Sequence, residues 1–419
     1  MISKNHQSPD NILVRKYGGS SLANVQRIRT VARDIAQTRK QGHSLVIVVS
    51  AMGTTTNELE EMARQASAHP SRRELDMLLS VGERITMSLL SMILEDEGCP
   101  SISFTGSQCG IITDTSHTDA RILRVTAERV REALNRGQVV VVAGFQGVSE
   151  EKEITTLGRG GSDTTAVALA AALGAVRCEI LKDVDGILSA DPKAITDAWL
   201  HRDLTYEEMR YISETGCGVL HIRAVEFAEK HQVPLQVRSS FHPRPGTRIG
   251  PPSFVSRPKT ISDRENRYRP LAMDIKEGVT RLGLRVSGAE QCQKWRENIL
   301  RLVDPCIIIT EWLDHGSTAL RWETLAPTIA LKALLAELKE SADDADIDVT
   351  RDDDLTCISF AGGRPDSWLE VQRHVAEVLK AAGCTKWRLR VDGSALRILV
   401  GDDLPEDLPL HLHGALLPA

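Results

Sequence analysis

Residues 156–165 carry the densest set of ligand-binding groups in the chain. Three glycines, one arginine, one aspartate and four hydroxyl side chains fall within these ten residues, and an apolar helical pattern follows directly. Glycines let a backbone approach a ligand closely, and the free N–H groups of a helix start attract an anion. Arg159 can hold a carboxylate or phosphate through two parallel hydrogen bonds, and Asp163 is costly to bury without a cation or donor. A plain glycine turn is the alternative, but this density of functional groups favours a binding loop.

A second motif lies at the end of the first predicted strand and contains Lys16, Gly18, Gly19 and Ser20. The glycine N–H groups can surround phosphate oxygens while the ammonium group neutralises their charge. The motif is not a Walker loop, because its lysine precedes the glycines. It predicts a phosphate site, and the alternative is a turn at the strand end with a solvated lysine.

The loop after the second strand and a later helical pattern supply hydroxyls and an acid. Four hydroxyl side chains occur in residues 50–56, which is more than helix capping requires. Glu83 follows a glycine inside a helical pattern, where glycine costs about 1 kcal/mol against alanine and therefore indicates a close neighbour. Glu83 is either a solvated surface acid or a partner for the ammonium group of a substrate.

Residues 182–193 contain three acids and two lysines, and Phe145 lies in a glycine-flanked turn after another strand. Asp-Gly and Asp-Pro favour turns in their own right, so part of this pattern is structural. The acids lack EF-hand spacing, and we predict no metal site among the residues of the chain. No Ser/His/Asp or Cys/His arrangement competes. Together the loops favour a phosphate at one end of a site and a small zwitterion with carboxylates at the other.

Residues 12–250 alternate short apolar runs with longer helical patterns. The runs 45–49 and 139–143 are continuous and β-branched, as expected for strands buried on both faces. Strands that alternate with helices predict an α/β fold, a three-layer sandwich with a largely parallel central sheet. Ligands on such sheets bind beyond the carboxyl ends of the strands, where the motifs above are placed.

The chain after residue 250 has a different organisation. Residues 251–270 are rich in proline and charge and are predicted to be a linker. In residues 271–419 the strand and helix patterns repeat approximately, with Leu320-Arg321 matching Leu396-Arg397, which predicts two small α+β modules of βαββαβ type. Residues 1–11 are polar and are expected to be a flexible N-terminus.

The composition limits the classes of function. A net charge of -6 and only 4% aromatic residues argue against a nucleic-acid-binding protein. Eight scattered cysteines without CxxC or zinc spacing indicate reduced thiols. The polar N-terminus lacks the apolar segment of a signal peptide, and no apolar run approaches the ~20 residues of a membrane span. We therefore expect a cytoplasmic enzyme without a nucleic-acid or membrane partner.

Several motifs in order make residues 12–250 resemble the aspartate kinases of the amino acid kinase family. The matching segments are 16–21, 49–53, 80–83, 144–147, 156–165, 183–186, 216–221 and 234–249. The resemblance implies an enzyme that uses ATP with Mg²⁺ to phosphorylate the β-carboxylate of L-aspartate, giving 4-phospho-aspartate. Phosphoryl transfer needs mainly positioning and charge stabilisation, which suits a constellation without a covalent nucleophile.

The resemblance also implies roles for individual residues. Lys16 would stabilise charge on the transferring phosphoryl group, and Asp163 would orient it. Arg159 would bind the α-carboxylate of aspartate and Glu83 its ammonium group. The substrate pocket would be shaped by Ser50, Thr56, Phe145 and Ser162. The ATP-binding residues would be Gly18, Gly19, Ser20, Gly53, Asp183, Asp185 and Lys193.

Some positions depart from the family pattern. Leu188 and Lys182 stand where many members carry tyrosine and threonine. Gly218 stands where some bacterial members carry a lysine near the phosphates, and Ile222 replaces the proline that commonly follows His221. These departures concern the ATP side of the site and leave the implied catalytic set complete.

The two C-terminal modules resemble the ACT regulatory domains of aspartate kinases, which bind lysine or threonine. Residues 287–291 and 362–366 lack the proline-glycine turn that usually precedes the first helix. The resemblance implies an ACT-like shape, a contact that forms a homodimer or higher homo-oligomer, and a binding place for an amino-acid effector. The missing turns leave the usual feedback response open.

Two other functions are compatible with the sequence. One is a kinase of the same family that acts on another small amino-acid carboxylate in a specialised pathway. The other is a non-catalytic, effector-binding regulatory subunit with a decayed kinase domain. The retained catalytic set argues against the second, and its members are Lys16, Glu83, Arg159 and Asp163.

Overall fold

The computed structural model describes residues 11–67, 70–216, 218–255, 270–302, 309–314, 319–340, 346–362, 368–401 and 404–417. The predicted N-terminal segment 1–11 and the predicted linker 251–270 lie largely outside these residues. The chain forms two compact units. The first unit consists of Met1–Ile187, Leu200–Ser213 and Gly218–Arg257, and the second consists of Leu188–Trp199, Glu214–Cys217 and Pro258–Ala419.

The described residues of the first unit form twelve strands. They are β1 (Ile12–Tyr17), β2 (Ser44–Val49), β3 (Ser101–Phe104), β4 (Ile111–Thr113), β5 (Ile122–Val125), β6 (Val139–Ala143), β7 (Gln146–Ser149), β8 (Ile154–Thr156), β9 (Arg177–Lys182), β10 (Asp203–Thr205), β11 (Leu235–Ser239) and β12 (Thr247–Gly250). Eight of them form one sheet in the order β10-β12-β11-β9-β1-β2-β6-β3, in which only β11 and β12 pair antiparallel. The other four form a small sheet in the order β5-β4-β7-β8. The predicted, largely parallel central sheet is confirmed.

Eight helices surround these sheets. They are α1 (Val25–Lys40), α2 (Thr55–Ala66), α3 (Arg72–Leu79), α4 (Val81–Asp96), α5 (Glu128–Asn135), α6 (Gly161–Leu173), α7 (Tyr206–Glu214) and α8 (Ile222–His231). Short 3-10 turns cover Gly19–Leu22, Pro252–Phe254 and Thr328–Leu331. Leu13, Ile47 and Val141 belong to a core that also contains apolar residues of α1 and α4. Helix α6 packs against β1, β2 and β9 and against α8, so helices contribute to the core on both faces of the large sheet.

Helix α6 carries part of the predicted binding loop into the core. It is rich in alanine, and eleven of its residues are buried, because small side chains allow a helix to approach a sheet closely. The helix starts after Gly160 and ends before Gly174, and both glycines have left-handed backbone conformations (φ 69° and 65°). A left-handed residue of this kind ends a helix at low cost only when it is glycine.

Within its described residues, the second unit contains one antiparallel sheet and four further helices. Its strands are β13 (Ala272–Ser287), β14 (Ile309–Asp314), β15 (Ala319–Pro327), β16 (Ile347–Ala361), β17 (Trp387–Asp392) and β18 (Ala395–Val400). Its helices are α9 (Ala289–Leu302), α10 (Lys332–Glu340), α11 (Trp368–Ala381) and α12 (Leu408–Leu416). The strand order is β14-β15-β13-β16-β18-β17. Trp295 and Trp322 share one core of this unit and Trp368 belongs to another, and all three side chains are buried.

The two long central strands are shared between two modules. Residues 279–287 of β13 and 347–355 of β16 pair with each other and, with β14 and β15, form what we call the first half. Residues 272–276 and 357–361 pair with each other and, with β17 and β18, form the second half. Each half has four strands and two helices, as predicted for an ACT-like module. The halves are not two consecutive stretches of the chain. The strand segment 272–276 belongs to the second half, although it precedes the whole first half in the sequence.

The stretch Arg72–Asp96, which comprises α3 and α4, is long and apolar enough to cross a membrane by length and composition alone. Half of its most apolar window is buried inside the protein. Helix α4 packs on β3 and β6 and against α1, and a core helix of a globular protein meets the same criteria. The apolar composition of this stretch is therefore weak evidence for a membrane span.

Candidate active site

Four parallel strands of the first unit end at the same level, so the loops that follow them start side by side. In the sheet register, Tyr17 pairs with Val49 and Leu181, and Val49 pairs with Ala143. Backbone hydrogen bonds then join the loops: the Gly18 N–H donates to the Leu181 carbonyl (3.0 Å), and the Gly144 N–H donates to the Val49 carbonyl (3.0 Å). This edge of the sheet is where the sequence motifs were expected to meet.

Asp163 joins two lysines at this edge. Its Oδ1 lies 2.7 Å from Lys16 Nζ, and its Oδ2 lies 3.2 Å from Lys182 Nζ. Lys16 is the penultimate residue of β1, Lys182 is the last residue of β9, and Asp163 lies in the first turn of α6. The side chains of Lys16 and Asp163 are only 7% and 3% exposed. One buried carboxylate therefore balances two ammonium groups and leaves an excess of positive charge.

The ionisation of this cluster follows from burial and charge. Burial alone would raise the pKa of Asp163, but Lys16 and Lys182 outweigh it and lower that pKa to about 2. Burial lowers the pKa of Lys16, and the contact with Asp163 opposes this change. Because Asp163 is ionised at neutral pH and lies within 2.7 Å of Lys16, we assign Lys16 as an ammonium group.

Glu83 is buried near Lys16 and is not a solvated surface acid, so that alternative is wrong. Its Oε1 accepts a hydrogen bond from the Ala51 N–H (3.1 Å), whereas its Oε2 has no hydrogen-bond partner among the described residues. Burial raises the pKa of Glu83 to about 7. The preceding glycine does mark a close neighbour, since a Cβ added at Gly82 would lie 2.8 Å from Ala51 Cβ. A buried, unpartnered carboxylate oxygen can receive the ammonium group of a ligand.

The loop before α6 is held against the turn that contains Phe145. Phe145 has a left-handed backbone (φ 70°), its N–H donates to Thr165 Oγ1 (3.2 Å), and its carbonyl accepts from the Leu157 N–H (2.8 Å). Ser162 is buried close by, because a Cβ added at Gly144 would lie 2.8 Å from Ser162 Cβ. The structure therefore brings Phe145 and Ser162 together beside Asp163.

The family model of the amino acid kinase family matches residues 11–239. The chain belongs to this family. The chain is 54% identical over 237 residues to the aspartokinase of Mycobacterium tuberculosis and 50% identical over 238 residues to that of Geobacillus stearothermophilus. These alignments cover 56% and 57% of this chain and 56% and 58% of the relatives, so the chain spans a little over half the length of the curated relatives it matches.

Solved structures extend the likeness to most of the chain. The aspartate kinase of Synechocystis is 33% identical with a TM-score of 0.54, and the match covers 96% of this chain and 68% of that protein. The Escherichia coli aspartokinase III in complex with aspartate and ADP has a TM-score of 0.71 over 97% of this chain and 100% of that protein, at 23% identity. The second match supports the fold alone.

The remaining predicted residues of this amino acid kinase lie in several places. Gly18, Gly19 and Ser20 form the turn after β1, and Ser50, Gly53 and Thr56 belong to the loop and helix start after β2. The Gly53 N–H donates to the Gly19 carbonyl (3.1 Å), which joins the two groups. Asp183 follows β9 and is exposed, and Asp185 accepts from Arg244 Nη1 (2.6 Å). Lys193 is exposed and belongs to the second unit, unlike the other predicted site residues.

Arg159 is exposed and forms no ion pair within the described parts of the chain, but its loop is anchored. Arg223 Nη1 donates to the Leu157 carbonyl and to Asp119 Oδ1, both at 2.7 Å. Asp76 is fully buried and accepts from Thr156 Oγ1 (2.5 Å) and from the Thr118 N–H (3.0 Å). Neither Arg223 nor Asp76 stands in a motif that would have indicated a role, because both act through residues far away in the chain.

The residues of the family site offer few ligands for a metal ion. Across the described ranges no group of three or more His, Cys, Asp or Glu residues could hold one. Both oxygens of Asp163 already face lysines, and Asp183 is an exposed carboxylate after β9 without an ion pair in the described structure. This donor set fits Mg²⁺ that is held mainly by phosphate oxygens and water, with one or two carboxylates at most.

Proposed function

We propose that the protein is an aspartate kinase, which transfers the γ-phosphoryl group of ATP to the β-carboxylate of L-aspartate and forms 4-phospho-L-aspartate and ADP. The observation that carries the proposal is a pair of complementary sites at one sheet edge. Two ammonium groups on Asp163 provide excess positive charge for phosphate, and the unpartnered Oε2 of Glu83 provides an acceptor for an ammonium group. The identity to bacterial aspartokinases over a little more than half of the chain supports this substrate.

Substrate binding is proposed to use both charges of aspartate. Glu83 would accept hydrogen bonds from the α-ammonium group, and the free guanidinium group of Arg159 would bind the α-carboxylate in a bidentate manner. Binding both groups would leave the β-carboxylate as the free nucleophile. The walls of the pocket are proposed to be formed by Ser50, Thr56, Phe145 and Ser162.

The chemical step needs positioned charge rather than a base. An oxygen of the β-carboxylate forms the new bond to the γ-phosphorus, the bond from that phosphorus to the β,γ-bridging oxygen breaks, and its electron pair stays on ADP. The attacking carboxylate is already ionised at neutral pH, so no proton is removed. Lys16 would stabilise the negative charge of the transferring group, and Asp163 would fix the position of Lys16.

The nucleotide is proposed to bind over the turns after β1 and β2, with the phosphates against Gly18, Gly19, Ser20 and Gly53. Asp183, Asp185 and Lys193 are proposed to contact the remainder of ATP, as the family resemblance implies. Mg²⁺ bound with ATP supplies neutralisation of the phosphate charge. The lysine complex of Escherichia coli aspartokinase III suggests an amino-acid effector for the second unit here. A homodimer and a cytoplasmic location stay predictions.

The test is acyl-phosphate formation by the purified protein with Mg²⁺ and ATP, trapped by hydroxylamine. Aspartate is compared with glutamate, N-acetylglutamate and aminoadipate, and Lys16→Ala is the inactive control. We expect an aspartate-dependent hydroxamate that Lys16→Ala abolishes. Turnover with another acid alone would refute the substrate and keep the chemistry, whereas absence of turnover with all four would favour the regulatory-subunit alternative.

A further inference from the structure

Lys182 is a cation of the site to which the family resemblance assigns no role. Its side chain is 19% exposed, and its Nζ contacts Asp163 Oδ2 and donates a hydrogen bond to the Val219 carbonyl. The ammonium group therefore has two fixed acceptors, one on α6 and one on the segment that leads into α8. A lysine held in this way at a strand end is positioned for a ligand rather than solvated.

The charges around Lys182 leave a place for an anion. Lys16 and Lys182 share the single negative charge of Asp163. Burial and the nearby Arg223 lower the pKa of His221, which disfavours a third positive charge beside the two lysines. Glu83, the other acid that interacts with Lys16, is proposed to bind the ammonium group of the substrate. Lys16, Lys182 and Asp163 therefore keep a net positive charge of one, and the repulsion between the two ammonium groups is relieved when a negatively charged group binds between them.

The segment that accepts the hydrogen bond of Lys182 lacks a lysine that some relatives carry. Gly218 stands where some bacterial members of the family carry a lysine near the phosphates, and Lys182 stands where many carry threonine. A Cβ added at Gly218 would meet no heavy atom within 4 Å in the described structure. The acceptor of Lys182 is the carbonyl of the next residue, Val219. The ammonium group of Lys182 thus lies beside the segment 218–219 and contacts its second residue.

We propose that Lys182 binds the transferring phosphoryl group together with Lys16, and that it replaces the lysine absent at position 218. Asp163 would hold the two ammonium groups on either side of the γ-phosphate. The proposal rests on the proposed phosphotransfer, in which the carboxylate-to-phosphorus bond forms as the phosphorus-to-ADP bond breaks. Neither lysine gives up a proton in that step, since both act by charge and hydrogen bonding.

The experiment compares Lys182→Thr, the double variant Lys182→Thr/Gly218→Lys, and the exposed control Lys230→Met on α8. We expect Lys182→Thr to lower kcat about 100-fold, with KM for aspartate within about twofold of the wild type. The double variant should regain at least tenfold of that loss, because it restores a lysine from the neighbouring segment. Lys230→Met should behave as the wild type.

Binding measurements separate this inference from the proposed function. By calorimetry, Lys182→Thr should bind a non-hydrolysable ATP analogue about tenfold more weakly, while ADP, which lacks the γ-phosphate, binds with unchanged affinity. These affinities can be measured even if the wild type phosphorylates none of the four acids, so failure of the proposed function leaves this test intact.

Three results would overturn the inference. They are wild-type kcat in Lys182→Thr, an equal loss of affinity for ADP and for the analogue, and a double variant no better than the single one. Equal loss for both nucleotides would indicate a structural role in holding Asp163. If Lys182→Thr does not fold, as judged by thermal unfolding, Lys182→Met keeps the aliphatic stem and carries the same comparison.

Discussion

Glu83 and Asp163 are two buried carboxylates at one sheet edge, and their surroundings give them opposite ionisation. Burial raises the pKa of both groups. Two lysines reverse the effect at Asp163 and bring its pKa to about 2, whereas Glu83, with one free oxygen, keeps a pKa of about 7. Asp163 is therefore ionised at neutral pH. Glu83 is only partly ionised there, and it becomes fully ionised when a cationic ligand binds to it.

This difference predicts a pH dependence of aspartate binding. Glu83 must be ionised to bind the ammonium group, so KM for aspartate should rise about tenfold per pH unit below about 7 and level off above it. Glu83→Gln should raise KM at all pH values and remove this dependence. The exposed control Glu151→Gln should keep the wild-type profile. A wild-type KM that does not change between about pH 5.5 and 8, the range over which Glu83 should change from mostly protonated to mostly ionised, would contradict the prediction.

Asp163 predicts a second effect, on stability. Its pKa of about 2 in the folded protein lies below its ordinary value of 3.8, so its ionisation stabilises the fold above about pH 4 and this contribution disappears as the pH falls toward 2. Asp163→Asn leaves the buried ammonium group of Lys16 and the partly buried one of Lys182 without their carboxylate, and should lower the free energy of unfolding by about 3 kcal/mol at pH 7.

Urea denaturation of the first unit at pH 7 and pH 3 measures this loss. Asp183→Asn, at an exposed position, should leave the free energy of unfolding unchanged. The difference between wild type and Asp163→Asn should shrink at pH 3. Equal stability of the two proteins at pH 7 would show that the ion pairs do not stabilise the fold.

Single residues were predictable where the chemistry lies within a short segment. Lys16 and Asp163 stand in glycine- and hydroxyl-rich motifs, and the structure joins them at 2.7 Å. The contact of Lys182 with Asp163 and the contact of Arg223 with Leu157 were not predictable, because each depends on how distant segments pack. The position of Lys182 in the sequence indicates only a strand end.

At the scale of elements, the start of α6 depends on one glycine. Gly160 has a left-handed backbone (φ 69°), and a Cβ there would lie 2.2 Å from His221 Cβ. Gly174, after the other end of the same helix, is also left-handed (φ 65°) but has open space around it in the described structure. A side chain at either position would therefore have to adopt the unfavourable left-handed backbone. Only a side chain at Gly160 would also collide with His221.

Gly160→Ala should consequently be worse than Gly174→Ala. The left-handed backbone costs about 1–2 kcal/mol for alanine at either position, and only Gly160→Ala adds the collision with His221. We expect a clearly lower unfolding midpoint for Gly160→Ala, and a higher KM for aspartate because the collision displaces the Arg159 loop. Thermal unfolding and steady-state kinetics check both effects. Equal unfolding midpoints for the two variants would mean that His221 and the start of α8 can move away from the new methyl group without loss of stability.

The elements of the first unit were predictable because their patterns are strong. The β-branched runs 45–49 and 139–143 lie within β2 and β6, which are buried on both faces of the sheet. The small sheet of β4, β5, β7 and β8 was not predicted, since these strands are three or four residues long and too short to show a period. We did not predict that β13 and β16 each extend through both halves of the second unit, because strand pairing depends on the topology of the sheet and not on the local sequence pattern.

At the scale of the whole molecule, the shared strands predict that the two halves of the second unit unfold together. Leu282 belongs to the first half and Ile358 to the second, and both are fully buried. Replacement of either by alanine should cost about 2–5 kcal/mol and shift the same thermal transition. The exposed control Ile329→Ala should change stability by less than about 0.5 kcal/mol. Differential scanning calorimetry that resolves two transitions, each moved by only one variant, would refute this coupling.

The pairing within β13 and β16 also bears on how such a sheet can be rearranged by deletion. Lys276 pairs with Cys357 and Val279 pairs with Leu355, on either side of a bulge that contains Gly278 (φ 63°). The first half is thus inserted between two neighbouring strand segments whose ends already face each other. Excision of residues 279–355 and closure by a short turn would convert the segments 272–276 and 357–361 into a β-hairpin. The second half would then be a four-stranded domain formed by one continuous stretch of chain. The short turn of the hairpin would connect the two strand segments that the first half connects in the present chain.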